Sequence, residues 1–203
     1  MQQREMKQLA GYFKKDNVVL FPTDTVVGLG CRFDSSAGIA RIRRIKGINE
    51  KNPLAVLISN EQQLEALQVR RSRLSNILMR NFWPGSLTIV LSSEEHFPCS
   101  GDSNTLGLRM PDVEMLRRII DLIGIPIAAT SANFHGRPAA VRLADVDPVI
   151  KKQVDHVIDF DLVPNGLPST VVTIEGGVLR IGREGTITKE EIYKVTGIEF
   201  EHP

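Results

Sequence analysis

The chain contains few of the residues that metal sites, disulfide frameworks and membrane spans require. Its 203 residues include only two cysteines, Cys31 and Cys99, which match no metal motif and cannot form a disulfide framework. The four histidines show no HExxH or other paired spacing, so we expect no dedicated protein metal site. No apolar run approaches the roughly 18 residues of a membrane span, and the charged N-terminal segment lacks an apolar signal core. We therefore expect a cytoplasmic protein without membrane association.

A strong excess of charge is also absent, and so are the common phosphate-binding loops. The formal net charge is +1, which neither requires nor excludes a nucleic-acid partner. Two basic clusters, "RIRRIK" (41–46) and "RRSR" (70–73), are candidates for an anion-attracting surface, although a solvated helix face is the simpler interpretation of the second. There is no GxxxxGK[ST] loop, and the isolated "GLG" is not a dinucleotide-binding fingerprint.

Apolar strand-like runs alternate with segments of helical periodicity along the chain. Helices are predicted over residues 6–13, 35–46, 61–67, 74–82 and 113–124, and strands over residues 18–21, 54–59, 86–92, 105–111 and 125–131. Two further strands surround Gly176-Gly177, which is a two-residue hairpin signal. This order predicts an α/β fold with a twisted, mixed and largely parallel sheet, and we expect residues 1–203 to form a single domain.

Polar side chains interrupt the apolar strands at four places. In open α/β sheets ligands bind just beyond strand ends, whereas a single polar cluster more often serves as a turn or cap. Four such clusters in one small domain favour a shared crevice over a purely structural α/β protein with capped turns. The clusters are Thr23-Asp24-Thr25, Thr105 with Arg109, Ser131 with Asn133, and Ser169-Thr170.

Three cations have both a structural and a functional interpretation. Arg109 lies in an apolar stretch and must find an anion, either Asp112 or Glu114 or a bound carboxylate or phosphate. Arg180 in "GVLRIGREG" poses the same alternatives. Lys46 either complements the dipole of its helix or neutralises a phosphate.

Six segments resemble, in order and spacing, the YrdC-like L-threonylcarbamoyladenylate synthases (TsaC class). They are "FPTDTVVGLG", "KGINEKNPLAVLIS", "WPGSLTIVL", "LGLRMPD", "ATSANFHGRPA" and "PSTVVTIEGGVLRIG". Each is weak alone, but six in order are highly specific, and the resemblance runs from about residue 8 to about residue 190. The chain resembles the short form of the family, and the resemblance implies one YrdC/RibB-like domain with helices flanking a sheet around a large cavity.

The resemblance implies a nucleotidyltransferase that converts L-threonine, bicarbonate or CO2, and ATP into L-threonylcarbamoyl-AMP and pyrophosphate. Mg²⁺ would accompany the ATP. Partner proteins would then transfer the threonylcarbamoyl group to the tRNA adenosine beside the anticodon, and weak RNA binding is an associated expectation. Such chemistry depends on positioning and charge neutralisation, so the absence of an activated Ser, Cys or His does not argue against an enzyme.

The matching motifs imply roles for nine residues. The resemblance assigns L-threonine contacts to Thr25, Arg109 and Ser169, and it assigns the catalytic cations to Lys46 and Arg180. It assigns ATP contacts to Lys46, Asn52, Thr105, Ser131, Asn133 and Arg180.

Two positions depart from the family pattern. Ile48 stands where the family usually has an arginine two residues after the lysine, which removes a cation from the phosphate side. Asn49, Lys51 or the arginines at 43 and 44 are candidates for compensation. Val27 replaces a common tyrosine and is expected to trim the pocket wall. The alternative function is therefore a catalytically weakened YrdC-like protein that binds RNA or a nucleotide.

Overall fold

The computed structural model describes residues 3–198, and these form an α/β fold around one sheet. Its elements, in chain order, are α1 (Gln3–Tyr12), β1 (Val19–Pro22), β2 (Val27–Arg32), α2 (Ser36–Lys46), β3 (Ala55–Leu57), α3 (Gln62–Ala66), α4 (Arg73–Phe82), β4 (Leu87–Ser92), β5 (Thr105–Arg109), α5 (Glu114–Ile123), β6 (Ile127–Ser131), α6 (Pro148–Lys151), β7 (His156–Val157), β8 (Thr170–Glu175), β9 (Val178–Arg183) and α7 (Lys189–Thr196). None of the helices in this range is both long and apolar enough to cross a membrane.

The strands form a mixed sheet in the order β7-β1-β2-β6-β3-β5-β4-β8-β9. This confirms the predicted mixed α/β architecture, but parallel pairs are fewer than expected. Only β1/β7, β3/β5 and β4/β8 are parallel among the eight described pairings. The reason is connection length, because strands joined by short loops, such as β1 with β2 and β8 with β9, must run antiparallel.

Alternation along the central strands separates an apolar core from a cavity face. In β5, Leu106 and Leu108 are buried in the larger core, whereas Thr105, Gly107 and Arg109 line a cavity. In β3 and β4, too, successive side chains alternate between the larger core and the cavity. A smaller core packs α1 and α5 against β1, β3 and β6. The sheet therefore places polar side chains from neighbouring strands on one face.

The helix signals in the sequence correspond to local capping contacts. Helix α2 begins after Ser35, whose hydroxyl accepts a hydrogen bond from the Gly38 amide at 2.9 Å, and it ends at Gly47 with a φ of 69°. The predicted hairpin is also confirmed, since Gly176 and Gly177 connect β8 to β9 with φ values of 58° and 82°.

Strand β2, which contains two glycines, is not among the strands predicted from the sequence. In the structure these glycines allow neighbouring groups to approach closely. A Cβ on Gly28 would lie 2.9 Å from the ring of Phe21, and one on Gly30 would lie 2.9 Å from the Ala128 carbonyl oxygen. Short helix α6, two-residue strand β7 and helix α7 were also not predicted.

Candidate active site

A cavity of about 450 Å³ opens on the polar face of the sheet. Its walls come from the β1–β2 turn, strands β3 to β6, the loop after β6 and the start of β8. The four polar strand ends of the sequence therefore meet in one space. Six of the nine predicted site residues line it: Thr25, Thr105, Arg109, Ser131, Asn133 and Ser169.

Thr23 and Thr25 have different roles in the β1–β2 turn. The Thr23 hydroxyl donates to the Val26 carbonyl at 2.7 Å and accepts from the amides of Thr25 and Val26 at 3.2 and 3.3 Å. Through these local hydrogen bonds Thr23 shapes the turn. The Thr25 hydroxyl instead accepts from Nη1 of Arg109 at 2.8 Å, so the turn presents it to the cation of the cavity.

Arg109 is held from three sides at the base of the cavity. Its side chain is 7% exposed, and it donates from Nε to the Gly85 carbonyl at 3.0 Å and from Nη2 to Asp24 at 2.5 Å, besides its bond to Thr25. Burial lowers the pKa of Arg109, and the charge of Asp24 opposes that effect. Asp24 also accepts from the Ser86 hydroxyl at 3.0 Å. Asp24 is therefore a partner that neither interpretation of Arg109 included.

The salt-bridge partners suggested for Arg109 are engaged elsewhere. Asp112 pairs with Arg117 at 3.4 Å, and Glu114 pairs with Arg118 one helical turn away at 2.6 Å. The prediction of a pair with Asp112 or Glu114 is wrong because both carboxylates lie after the strand, on the surface near α5.

Lys46 lies behind the cavity wall and does not line the cavity. Its ammonium group donates to the carbonyls of Ser131 and Asn133 at 2.6 and 2.8 Å and to Oδ1 of Asn133 at 3.1 Å. The Ser131 hydroxyl donates to the same Oδ1. Burial lowers the pKa of Lys46 to about 8. Lys46 therefore joins the end of α2 to the loop after β6, and its helix is capped by Gly47.

Asn52 also lies outside the cavity lining, although its neighbours Pro53 and Leu54 belong to it. The Asn52 side chain accepts from the Asn49 amide at 3.2 Å, and its carbonyl accepts from Arg43 at 3.1 Å. These contacts close the turn between α2 and β3.

Arg183, and not Arg180, lines the cavity from strand β9. Arg180 is exposed and pairs through the backbone with Thr173 at the sheet edge. Arg183 donates to the carbonyl of Ser169 at 2.9 Å and to its hydroxyl at 3.3 Å. Partial burial, followed by the nearby charge of Arg109, lowers the pKa of Arg183. The sequence does carry a signal for Arg183, because the pattern R-x-G occurs twice in succession, beginning at Arg180 and again at Arg183.

The two departures from the family pattern lie on the apolar core. Val27 is fully buried in the larger core, on the opposite strand face from Val26 and Gly28 of the cavity lining, so the expected trimming of the pocket wall is wrong. Ile48 is partly buried and packs against the same core. Its amide caps α2 by donating to the Arg43 carbonyl at 3.0 Å.

The cavity is cationic. Arg109, Arg137 and Arg183 are among the described residues that line it, and no aspartate or glutamate is. Within residues 3–198 no group of three or more His, Cys, Asp or Glu side chains has the arrangement of a metal site. Hydroxyls complete the polar wall, with Thr88 and Ser169 hydrogen-bonded at 2.9 Å. Guanidinium groups and hydroxyls suit carboxylates and phosphates.

The fold and this cavity define an α/β protein with an arginine-lined cavity whose side chains suit small anionic molecules. The chain belongs to the Sua5/YciO/YrdC family, described as telomere recombination, which it matches over residues 11–185.

Curated relatives and a solved structure show the same similarity. The chain is 33% identical over 202 residues to threonylcarbamoyl-AMP synthase of Bacillus subtilis (strain 168), covering 95% of this chain and 57% of the relative. It is 35% identical over 196 residues to the enzyme of that name from Pyrococcus abyssi (strain GE5 / Orsay), covering 96% and 58%. The crystal structure of P. abyssi Sua5 complexed with L-threonine superimposes with a TM-score of 0.90 at 33% identity, covering 97% and 58%. The chain therefore spans less than two thirds of these relatives.

Proposed function

We propose that the protein is an L-threonylcarbamoyladenylate synthase that uses L-threonine, bicarbonate or CO2, and ATP. The observation that carries this proposal is the buried Arg109 beside Thr25 at the base of a cationic cavity. The names of the relatives and the L-threonine bound by P. abyssi Sua5 support the same substrate.

The proposed threonine subsite lies around Arg109. A guanidinium has five N–H donors, and Gly85, Thr25 and Asp24 accept three of them. Two donors therefore remain for the α-carboxylate of the amino acid. The hydroxyls of Thr88 and Ser169, held together and oriented by Arg183, are positioned to recognise the hydroxyl of threonine.

The proposed reaction forms two bonds in sequence. The free amine of threonine attacks CO2 and loses a proton, which gives a carbamate. A carbamate oxygen then attacks the α-phosphorus of ATP, and the bond to the pyrophosphate oxygen breaks. Arg183 is the cavity cation that we assign to the developing negative charge, in place of Arg180. Lys46 orients Ser131 and Asn133 at the proposed nucleotide subsite.

No covalent intermediate on the protein is needed in this scheme. Burial raises the pKa of Cys31 to about 12 and that of Cys99 to about 11, so neither thiol is a nucleophile near neutral pH.

We propose that Mg²⁺ enters bound to the nucleotide, because no carboxylate appears among the described lining residues and Asp24 is engaged by Arg109 and Ser86. The phosphates of ATP would bring and hold the ion.

Transfer of the product to tRNA by partner proteins, and weak RNA binding, remain parts of the proposal. The basic clusters add little support to RNA binding, because several of their arginines have acidic neighbours. Arg41 pairs with Asp155 and Arg71 with Glu61, both at 2.7 Å. We place the protein in the cytoplasm and treat it as one domain within the same proposal.

The test is synthesis by the pure protein. Incubation with Mg–ATP, bicarbonate and labelled L-threonine should give labelled threonylcarbamoyl-AMP and threonine-dependent pyrophosphate. Arg183→Ala should lose more activity than Arg180→Ala, because Arg183 lines the cavity. Absence of both products from wild-type protein would contradict the proposed function, and a larger loss in Arg180→Ala would contradict the reassignment.

A further inference from the structure

Arg137 is a cavity-lining cation whose side chain has no acceptor among residues 3–198. It lies in the loop that follows β6, and its guanidinium is exposed at the cavity mouth. The other two cavity arginines are engaged, Arg109 with Asp24 and Arg183 with Ser169. For Arg137 the described hydrogen bonds involve only the backbone.

The backbone of Arg137 is fixed to the proposed nucleotide subsite. Its carbonyl accepts from the side-chain amide of Asn133, and its amide donates to the Phe134 carbonyl at 3.0 Å. The loop is also tied to α2, because the His135 amide donates to the Lys46 carbonyl at 3.1 Å. The backbone of this arginine is therefore held beside Ser131 and Asn133, and its exposed side chain makes no hydrogen bond within the described residues.

Lys46 does not offer a free donor to this end of the cavity. An ammonium group has three donors, and the oxygens of Ser131 and Asn133 accept all three. Two other cations near this end point elsewhere: Lys51 pairs with Asp102 at 3.1 Å, and Arg43 donates to the Asn52 carbonyl while its buried Nε has no partner among the described residues. In the described part of the chain neither of them lines the cavity.

We infer that Arg137 binds the phosphate groups of the nucleotide at the Ser131–Asn133 end of the cavity. The inference rests on the proposed function for the identity of the anion as ATP. A guanidinium that is free at the mouth and anchored through its backbone can close on a phosphate with two parallel hydrogen bonds. Arg137 thereby supplies the phosphate-side charge that Ile48 does not provide.

The experiment measures ATP binding by calorimetry in the absence of threonine and bicarbonate. Arg137→Ala should weaken ATP binding by about ten- to a hundredfold, the effect of losing a charge-assisted hydrogen-bonded contact. Arg137→Lys should recover part of the affinity because it keeps the charge but loses the planar fork. The matched control is Arg142→Ala, since Arg142 is an exposed arginine of the same connection that pairs with Asp145.

Adenosine binding distinguishes a phosphate contact from a disturbed loop. Arg137→Ala should bind adenosine and L-threonine as the wild type does. Three results would overturn the inference: ATP affinity of Arg137→Ala within about twofold of wild type, an equal loss for adenosine, or no measurable ATP binding by the wild type.

The synthesis assay keeps this inference separate from the proposed function. Normal synthesis with unchanged ATP affinity in Arg137→Ala would reject the phosphate contact and leave the synthase in place. Weakened ATP binding in Arg137→Ala, with no threonylcarbamoyl-AMP from the wild type, would support the contact and reject the synthase.

Discussion

Replacing Asp24 with asparagine should destabilise the protein by leaving a buried arginine without its counter-charge. The Asp24 and Arg109 side chains are 15% and 7% exposed, so solvent screens their pair only weakly. Removing one partner of a buried ion pair typically costs about 3–5 kcal/mol. We expect a loss of about 3 kcal/mol, because asparagine keeps the shape and can still accept a hydrogen bond from Arg109 through its amide oxygen.

Urea unfolding near pH 7 measures this loss directly, and a thermal scan should show a decrease in Tm of about 6–12 °C for a chain of this size. Asp112→Asn is the matched control, because Asp112 is 67% exposed in its pair with Arg117 and should change stability by less than about 1 kcal/mol. L-threonine at a saturating concentration should stabilise Asp24→Asn by at least as much as wild type, because its carboxylate would restore a negative charge beside Arg109. A loss in Asp24→Asn no larger than that of the control would refute the reasoning.

Three further predictions concern pH, thiol reactivity and backbone packing. Burial lowers the pKa of Lys46 in the folded protein to about 8, against an ordinary value of 10.5, so between these two pH values the unfolded chain binds more protons and stability should rise with pH. Urea unfolding at both ends of this pH range should show a larger gain in stability for wild type than for Lys46→Met. The same pH dependence of stability in both proteins would contradict the prediction. Cys31 and Cys99 are buried and their pKa values are raised, so a disulfide exchange reagent near pH 8 should label neither thiol in the folded protein and both after denaturation. Immediate labelling of either thiol in the folded protein would contradict this burial. Gly30→Ala should cost about 1–3 kcal/mol, because its Cβ would lie 2.9 Å from a backbone oxygen of the neighbouring strand; Gly11→Ala in α1, with nothing within 4 Å, is the control and should be neutral or stabilising.

Convergence of the polar strand ends was predictable, but the charge arrangement inside the cavity was not. The strand-end rule anticipated that Thr25, Arg109, Ser131 and Ser169 would meet. Asp24 is the partner of Arg109 because the turn between the antiparallel strands β1 and β2 lies against the end of β5, although the two residues are 85 positions apart in the sequence. Sequence proximity favoured the wrong carboxylates, because local spacing carries no information about such a distant contact.

Periodicity and capping residues by themselves determined most helices, the β8–β9 hairpin and the α/β class, because these features depend on neighbours within a few residues. Tertiary structure alone decided that β2 is a strand, since the close approach of Phe21 and Ala128 is what makes its glycines suitable. It also decided that Lys46 binds the Ser131–Asn133 loop and that Arg183 faces the cavity while Arg180 stays at the exposed edge. The β8–β9 pairing changes register between Val171 and Val172, next to the point where Arg183 pairs with Val171. Such a change in register depends on how two strands pair, and the sequence of one strand does not specify it.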